Sequence, residues 1–303
     1  MDLGGKRRSD NFEDRGSGKG GGPVGGGGGG MGVQLLGAVV SRFGIKGLVI
    51  GGVILGALYL FSPTTVKQGL VGGQVAAEGD GKVCDASNKN ADACDFSRAI
   101  LASTEDVWTQ HFKNGNLPEY KSNPRSYKMP TLVVFTGHVT TGGCGSAGSE
   151  VGPFYCSADD RLYIDPGFYD TLAQQLRAPG EFAQAYVIAH EIGHHVQNLI
   201  GSLRLTVRGE SKNQASVRVE LQADCFAGVW GHSAQADLSI SDEDLRDATR
   251  AAHAIGDDAL GHRDEAKFTH GSSEQRIRWF KRGFESGDPT QCDTFAVERY
   301  ADL

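Results

Sequence analysis

Apolar and polar positions divide the chain into a polar beginning, one long apolar run and a mixed remainder. Residues 1–32 are mostly glycine with scattered charges, so we predict a disordered tail that cannot build a core. Residues 33–63 are apolar apart from Arg42 and Lys46, and the 20 uncharged residues 47–66 match the length that crosses a bilayer. We predict a single transmembrane helix over 33–63, with a buried core helix or a cleaved signal peptide as the alternatives.

Basic residues predict the orientation of this helix. Seven Lys and Arg precede residue 47 and few follow Phe61, which places the N-terminus in the cytoplasm and the following domain outside. The spacings Gly47/Gly51 and Gly52/Gly56 form a small-xxx-small pattern that is compatible with a homodimer through the membrane helix.

Residues 64–303 are numerous enough for one good-sized core, and their pattern changes between helical and strand periodicity. Helical spacing extends over 95–112, strand composition over 131–139, and a hairpin pattern over 154–165. We expect the strand at 162–164 to lie at the edge of a small sheet, where an extended peptide could pair with it. The fold class predicted for this domain is α+β, mostly helical with a small sheet.

Capping residues predict further helix ends. Gly201 stands where a helix over 186–200 would stop. Ser241 is the predicted N-cap of a helix that ends at Ile255, and Ser272 or Ser273 starts the last helix.

The helix that ends before Gly201 contains the pattern H-E-x-x-H at His190, Glu191 and His194. Residues i and i+4 share one helix face, so both imidazoles can bind one zinc ion. Glu191 is then close enough to take a proton from water at the open metal position. The alternative is a surface helix with two unrelated histidines.

A carboxylate from a second helix is the predicted third ligand. Glu220 follows His194 by 26 residues, and Asp224 lies one helical turn later on the same face. Acids on this otherwise largely apolar helix need partners. We favour Glu220 as ligand and Asp224 as the group that orients a ligand histidine, because His/His/Glu is the better attested set. The reverse assignment, with Asp224 as ligand, stays open.

His270 is a candidate donor to the oxyanion that forms at a scissile carbonyl, and a structural or surface role is the alternative. His195 points about 100° away from His194 on a helix and should not bind the same ion.

All cysteines lie after residue 64, and an even number of them suits an oxidising compartment. The chain has no C-x-x-C pair, which argues against a second metal site. Proximity in sequence favours the disulfides Cys84–Cys94 and Cys144–Cys156, which leaves Cys225–Cys292. The net charge of −7 and the lack of a basic–aromatic stripe exclude a nucleic-acid partner.

Several segments together resemble a known family: KRRSDNFEDRG with the Gly-rich tail, CGSAGSEVGPFYC, HEIGHHVQ, ELQADCFAGVW and HGSSEQRIRWFKRGFESGDPTQCDTF. They are similar to the bacterial family described as "putative neutral zinc metallopeptidase", membrane-anchored zincins. The resemblance implies a zincin-like fold, one zinc per chain and a single-pass protein of the inner membrane with a periplasmic domain. The E-x-x-x-D pattern also resembles that of gluzincins, which implies that Glu220 is a ligand and Asp224 its support.

The predicted function is hydrolysis of peptide bonds in a peptide or protein by metal-activated water, with Glu191 as general base. Two other functions stay open. The chain could be an inactive zinc-binding envelope module, or an amidase or peptidase that acts on cell-wall peptides. A complete Glu191 argues against the first, because a binding module needs no base.

Overall fold

The computed structural model describes residues 1–17, 82–120, 122 and 124–303. Within them the chain is mixed, with helices and two small sheets. It divides into two compact units, one of residues 1–11, 95–130 and 169–303, and one of residues 12–94 and 131–168. The helices are α1 (Ala91–Asn114), α2 (Gly167–Gln174), α3 (Glu181–Ile200), α4 (Lys212–Ala234), α5 (Asp242–Ala254) and α6 (Ser273–Ser286).

The unit of residues 12–94 and 131–168 contains a four-stranded sheet in the order β1-β2-β6-β5. Strands β1, β2 and β6 are parallel, and β5 pairs antiparallel with β6 as the predicted hairpin. Alternate strand residues such as Val133, Phe135 and Tyr163 bury their side chains in one core. The strands are β1 (Phe12–Ser17), β2 (Thr131–Thr136), β3 (His138–Thr140), β4 (Ser146–Gly148), β5 (Phe154–Cys156) and β6 (Arg161–Ile164).

Strand β6 is not at an edge of its sheet, which corrects the prediction for residues 162–164. It lies between β2 and β5 and pairs with both, so its backbone groups are already used. The strands at the two edges are β1 and β5.

The first 17 residues differ from the predicted disorder. Arg7, Ser9 and Asn11 alternate along an extended segment, and all three donate hydrogen bonds to the Glu105 carboxylate, at 2.9, 2.6 and 2.7 Å. The Glu105 side chain is fully buried, so these donors compensate a charge that has no access to water. Polar contacts therefore order a segment that lacks the apolar residues for a core.

The predicted transmembrane helix and the inner-membrane localisation are wrong, and nothing tests the homodimer predicted through that helix. In the described ranges, no helix combines the length and the hydropathy needed to cross a membrane. The predicted span 33–63 itself lies outside the described residues. The predicted orientation also fails, because β1 (Phe12–Ser17) shares a parallel ladder with β2 (Thr131–Thr136). Strands that exchange backbone hydrogen bonds cannot lie on opposite sides of a bilayer.

Helices dominate the other unit, and their ends follow the predicted capping residues. Helix α3 ends at Gly201, whose φ of 82° is the left-handed conformation that glycine adopts easily. Helix α5 begins after Ser241 with a reciprocal capping box, and α6 begins after Ser272 in the same way.

Small residues let α4 approach the neighbouring helices closely. A Cβ at Gly193 of α3 would lie 2.9 Å from the backbone of Ala223 on α4, closer than real Cβ atoms approach. A Cβ at Gly283 of α6 would overlap the Cys225 carbonyl oxygen of α4. Gly193 belongs to the H-E-x-x-H segment, so the close α3–α4 contact lies beside the predicted metal ligands.

The three predicted disulfides are confirmed: Cys84–Cys94, Cys144–Cys156 and Cys225–Cys292. The last connects α4 to a short 3-10 helix at Pro289–Cys292 near the C-terminus.

Candidate metal centre

Helices α3 and α4 bring the three predicted ligands together. His190 and His194 project from α3 with their rings nearly perpendicular and their centroids 4.8 Å apart. The Glu220 carboxylate on α4 lies 3.2 Å from His190 Nε2 and 3.5 Å from His194 Nε2. Three ligand atoms, one from each residue, all lie within 4.8 Å of one another, and such a group could hold a metal ion.

This donor set fits zinc. Zinc–nitrogen and zinc–oxygen bonds of about 2.0–2.1 Å at tetrahedral angles place neighbouring ligand atoms roughly 3.3 Å apart. The distances from His190 Nε2 to Glu220 Oε2, 3.2 Å, and from His194 Nε2 to Glu220 Oε1, 3.5 Å, lie close to that value. Two imidazoles and one carboxylate also form a three-ligand set that leaves a fourth position open.

Asp224 lies behind His190 and outside the tripod. Its Oδ1 accepts a hydrogen bond from His190 Nδ1 at 2.8 Å, which holds a proton on Nδ1 and leaves Nε2, on the side of Glu220, as the nitrogen that can bind a metal. Asp224 also accepts from the Tyr186 hydroxyl. Arg276 of α6 binds the same carboxylate in a fork, with Nε–Oδ2 at 2.8 Å and Nη2–Oδ1 at 2.9 Å.

His194 has a different partner. Its Nδ1 lies 2.8 Å from Oε1 of Gln197, one turn later on α3. The Gln197 amide in turn donates to the Val219 carbonyl at 2.7 Å and to Gln222 Oε1 at 3.1 Å. One ligand is thus held by a charged carboxylate and the other by a neutral amide.

The charges around the tripod shift its pKa values in opposite directions. Burial lowers the pKa of His190, but the Asp224 carboxylate and the hydrogen bond to Glu220 outweigh it and raise the value to about 9. Burial lowers the pKa of His194 to about 4 against the attraction of Glu220. Burial raises the pKa of Glu220, but the effects of His194 and His190 are larger and lower the pKa overall. This carboxylate therefore stays ionised. In the metal-free site at neutral pH, His190 is therefore an imidazolium and His194 is neutral, so a metal has to displace one proton from His190.

Glu191 lies between the two histidines on α3 and is partly exposed. His195 points away from the tripod, as expected, and its Nε2 lies 2.6 Å from the Lys128 carbonyl oxygen.

His270 lies in the loop before α6 and is 4 % exposed. Its Nδ1 is 3.2 Å from the Asp257 carboxylate, which also accepts the His270 backbone N–H at 2.7 Å. Burial raises the pKa of Asp257, but its bonds with His270 lower it overall, so the carboxylate is ionised. His270 Nε2 is buried and has no hydrogen-bond partner. His270 is also close enough to lower the pKa of the Glu220 carboxyl.

Three residues of the site, Tyr186, Gln197 and Arg276, are absent from the sequence predictions. Tyr186 and Gln197 lie one helical turn before His190 and one turn after His194, so their spacing was a usable signal. Arg276 offered none, because its contact with Asp224 joins residues 52 positions apart.

An H-E-x-x-H helix joined to a carboxylate of the next helix defines the class of zinc metallopeptidase sites. The chain belongs to the family described as "Putative neutral zinc metallopeptidase", whose model matches residues 1–295. The family description suggests a zinc-dependent peptidase, that is, a hydrolase.

Two relatives that the chain resembles carry names without a function. The chain is 43 % identical over 306 positions to "Uncharacterized protein YpfJ" of Escherichia coli K12, covering 96 % of this chain and 97 % of that protein. It is 45 % identical over 188 positions to "Uncharacterized protein Rv2575" of Mycobacterium tuberculosis H37Rv, covering 56 % of this chain and 64 % of that protein. No solved structure matches significantly.

Proposed function

We propose that the chain hydrolyses peptide bonds at one zinc ion held by His190, His194 and Glu220. The observation that carries this proposal is the tripod itself, with its two nitrogen–oxygen distances of 3.2 and 3.5 Å. The substrate class is a peptide or protein, in line with the family description.

The ion would supply Lewis-acid activation of water near neutral pH. The Glu191 carboxylate accepts the proton that this water loses, and then donates it to the amine of the leaving group. Its place directly after His190 in the H-E-x-x-H pattern of α3 supports this role.

His270 is the proposed donor to the oxyanion of the scissile carbonyl. Its Nδ1 lies against the Asp257 carboxylate, which leaves Nε2, the ring atom without a partner in this structure, to face the oxyanion. A donor already fixed in a buried position needs no reorganisation when charge develops on the substrate.

The substitution Glu191→Gln tests the proposal. It keeps the size of the side chain and removes the base, so we expect full zinc content and loss of cleavage of a denatured protein substrate. Glu181→Gln is the matched control, because Glu181 is an exposed acid at the start of the same helix. Wild-type activity should disappear with a chelator and return with zinc. A Glu191→Gln protein that cleaves at the wild-type rate would contradict the mechanism.

A further inference from the structure

Gln197 is fully buried within hydrogen-bonding distance of a proposed zinc ligand, and its own surroundings restrict which way its amide can point. The Val219 carbonyl, 2.7 Å from Gln197 Nε2, can only accept a hydrogen bond. This contact requires the NH2 group of Gln197 to face Val219. The oxygen of the amide must then face His194 Nδ1.

A second buried amide reinforces this orientation. Gln222 Nε2 donates to the Cys292 carbonyl at 2.9 Å and to the Tyr120 hydroxyl at 2.7 Å. Its Oε1 therefore faces the opposite side, where it accepts from Gln197 Nε2 at 3.1 Å and from Ser202 Oγ at 2.7 Å. Gln197, Gln222 and Ser202 are all fully buried, so water cannot take over these bonds.

The direction of this chain of bonds determines the tautomer of His194. If Gln197 were turned over, its oxygen would face the Val219 carbonyl and its NH2 group would face His194 Nδ1. The His194 proton would then have to lie on Nε2, the nitrogen that faces Glu220 and must offer its lone pair to a metal.

We propose that Gln197 is a positioning residue for His194, held in its orientation by Gln222, so that His194 presents Nε2 as a metal-binding lone pair. This inference rests on the proposed zinc site. It assigns to a neutral amide at His194 the part that the Asp224 carboxylate has at His190.

Zinc affinity of the full chain, measured by competition with a chromophoric chelator and without substrate, tests the inference. Gln197→Met keeps a similar length but accepts no such bond, so we expect a loss of about 10–100-fold. Gln184→Met is the matched control, the same substitution at a partly exposed position of α3, and should change nothing.

Cobalt(II) provides a readout that general loss of packing would not imitate. The ring N–H protons of cobalt-bound histidines give separate, shifted proton NMR signals. We expect both ligand histidines to show a slowly exchanging Nδ1–H in the wild type. In Gln197→Met the signal of His194 should broaden or vanish while that of His190, held by Asp224, persists.

Wild-type zinc affinity in Gln197→Met, or a His194 Nδ1–H signal that persists in that variant, would overturn the inference. If Gln197→Met does not fold without metal, the cobalt(II) spectrum of the wild type decides. A His194 that shows no slowly exchanging Nδ1–H there would overturn the inference. Zinc affinity that depends on Gln197 in a protein that cleaves no peptide would refute the proposed function alone. Peptide cleavage by a protein whose zinc affinity does not depend on Gln197 would refute this inference alone.

Discussion

Replacing Arg276 with methionine should strongly destabilise the helical unit. Arg276 is 2 % exposed and makes two hydrogen bonds to Asp224, which is fully buried. Removing one partner of a buried ion pair leaves the other charge without compensation and costs about 3–5 kcal/mol of the free energy of unfolding. In the metal-free chain, His190 shares the Asp224 carboxylate and holds a proton, so we expect the lower end, about 3 kcal/mol.

Thermal unfolding in the presence of a chelator is the assay. For a unit of this size, about 3 kcal/mol corresponds to a fall in Tm of roughly 6–12 °C. Arg278→Met is the control, because Arg278 lies on the same helix and is exposed. Its Tm should stay close to that of the wild type.

A double-variant cycle separates the ion pair from the packing of the long Arg276 side chain. Asp224→Asn removes the charge that Arg276 compensates, so the double variant should lose less stability than the sum of the two single losses. A single loss below about 1 kcal/mol, or strictly additive losses, would refute the assignment of this pair as a coupled buried unit.

Three further predictions concern the site and the N-terminal segment. The pKa of His190 is raised to about 9, so zinc must displace a proton from His190 below that pH. Apparent zinc affinity should therefore increase by about tenfold per pH unit from pH 6 to 8. A flat pH profile in chelator competition would contradict this. His270→Ala should lower kcat with little change in zinc content, since His270 lies outside the tripod; loss of zinc instead would give it a ligand or structural role. Ser9→Ala should reduce the free energy of unfolding by about 1–3 kcal/mol, because it removes a donor from the buried Glu105 carboxylate; an unchanged denaturation midpoint would argue against this anchor.

Features of the fold that depend on local sequence could be predicted. The spacing of His190 and His194, the capping box at Ser241 and the stop at Gly201 each depend on residues within one or two helical turns. Two of the disulfides close short loops of 10 and 12 residues, so proximity along the chain was a good guide.

Several contacts between distant segments could not be predicted. Strand β1 follows a segment of polar residues and pairs with β2, 120 residues later, for which the sequence offers no local signal. The position of β6 between two strands depends on the same nonlocal pairing. Arg276 looked like one of several basic residues on an amphipathic helix, and only the packing of α6 against α4 brings it to Asp224.

The zinc content of the purified chain is the most direct measurement of the central claim. We predict one zinc per chain in the wild type and loss of tight binding in Glu220→Ala, because the tripod then keeps only its two imidazoles. A Glu220→Ala protein that retains one zinc with wild-type affinity would contradict the claim that α3 and α4 together form the metal centre.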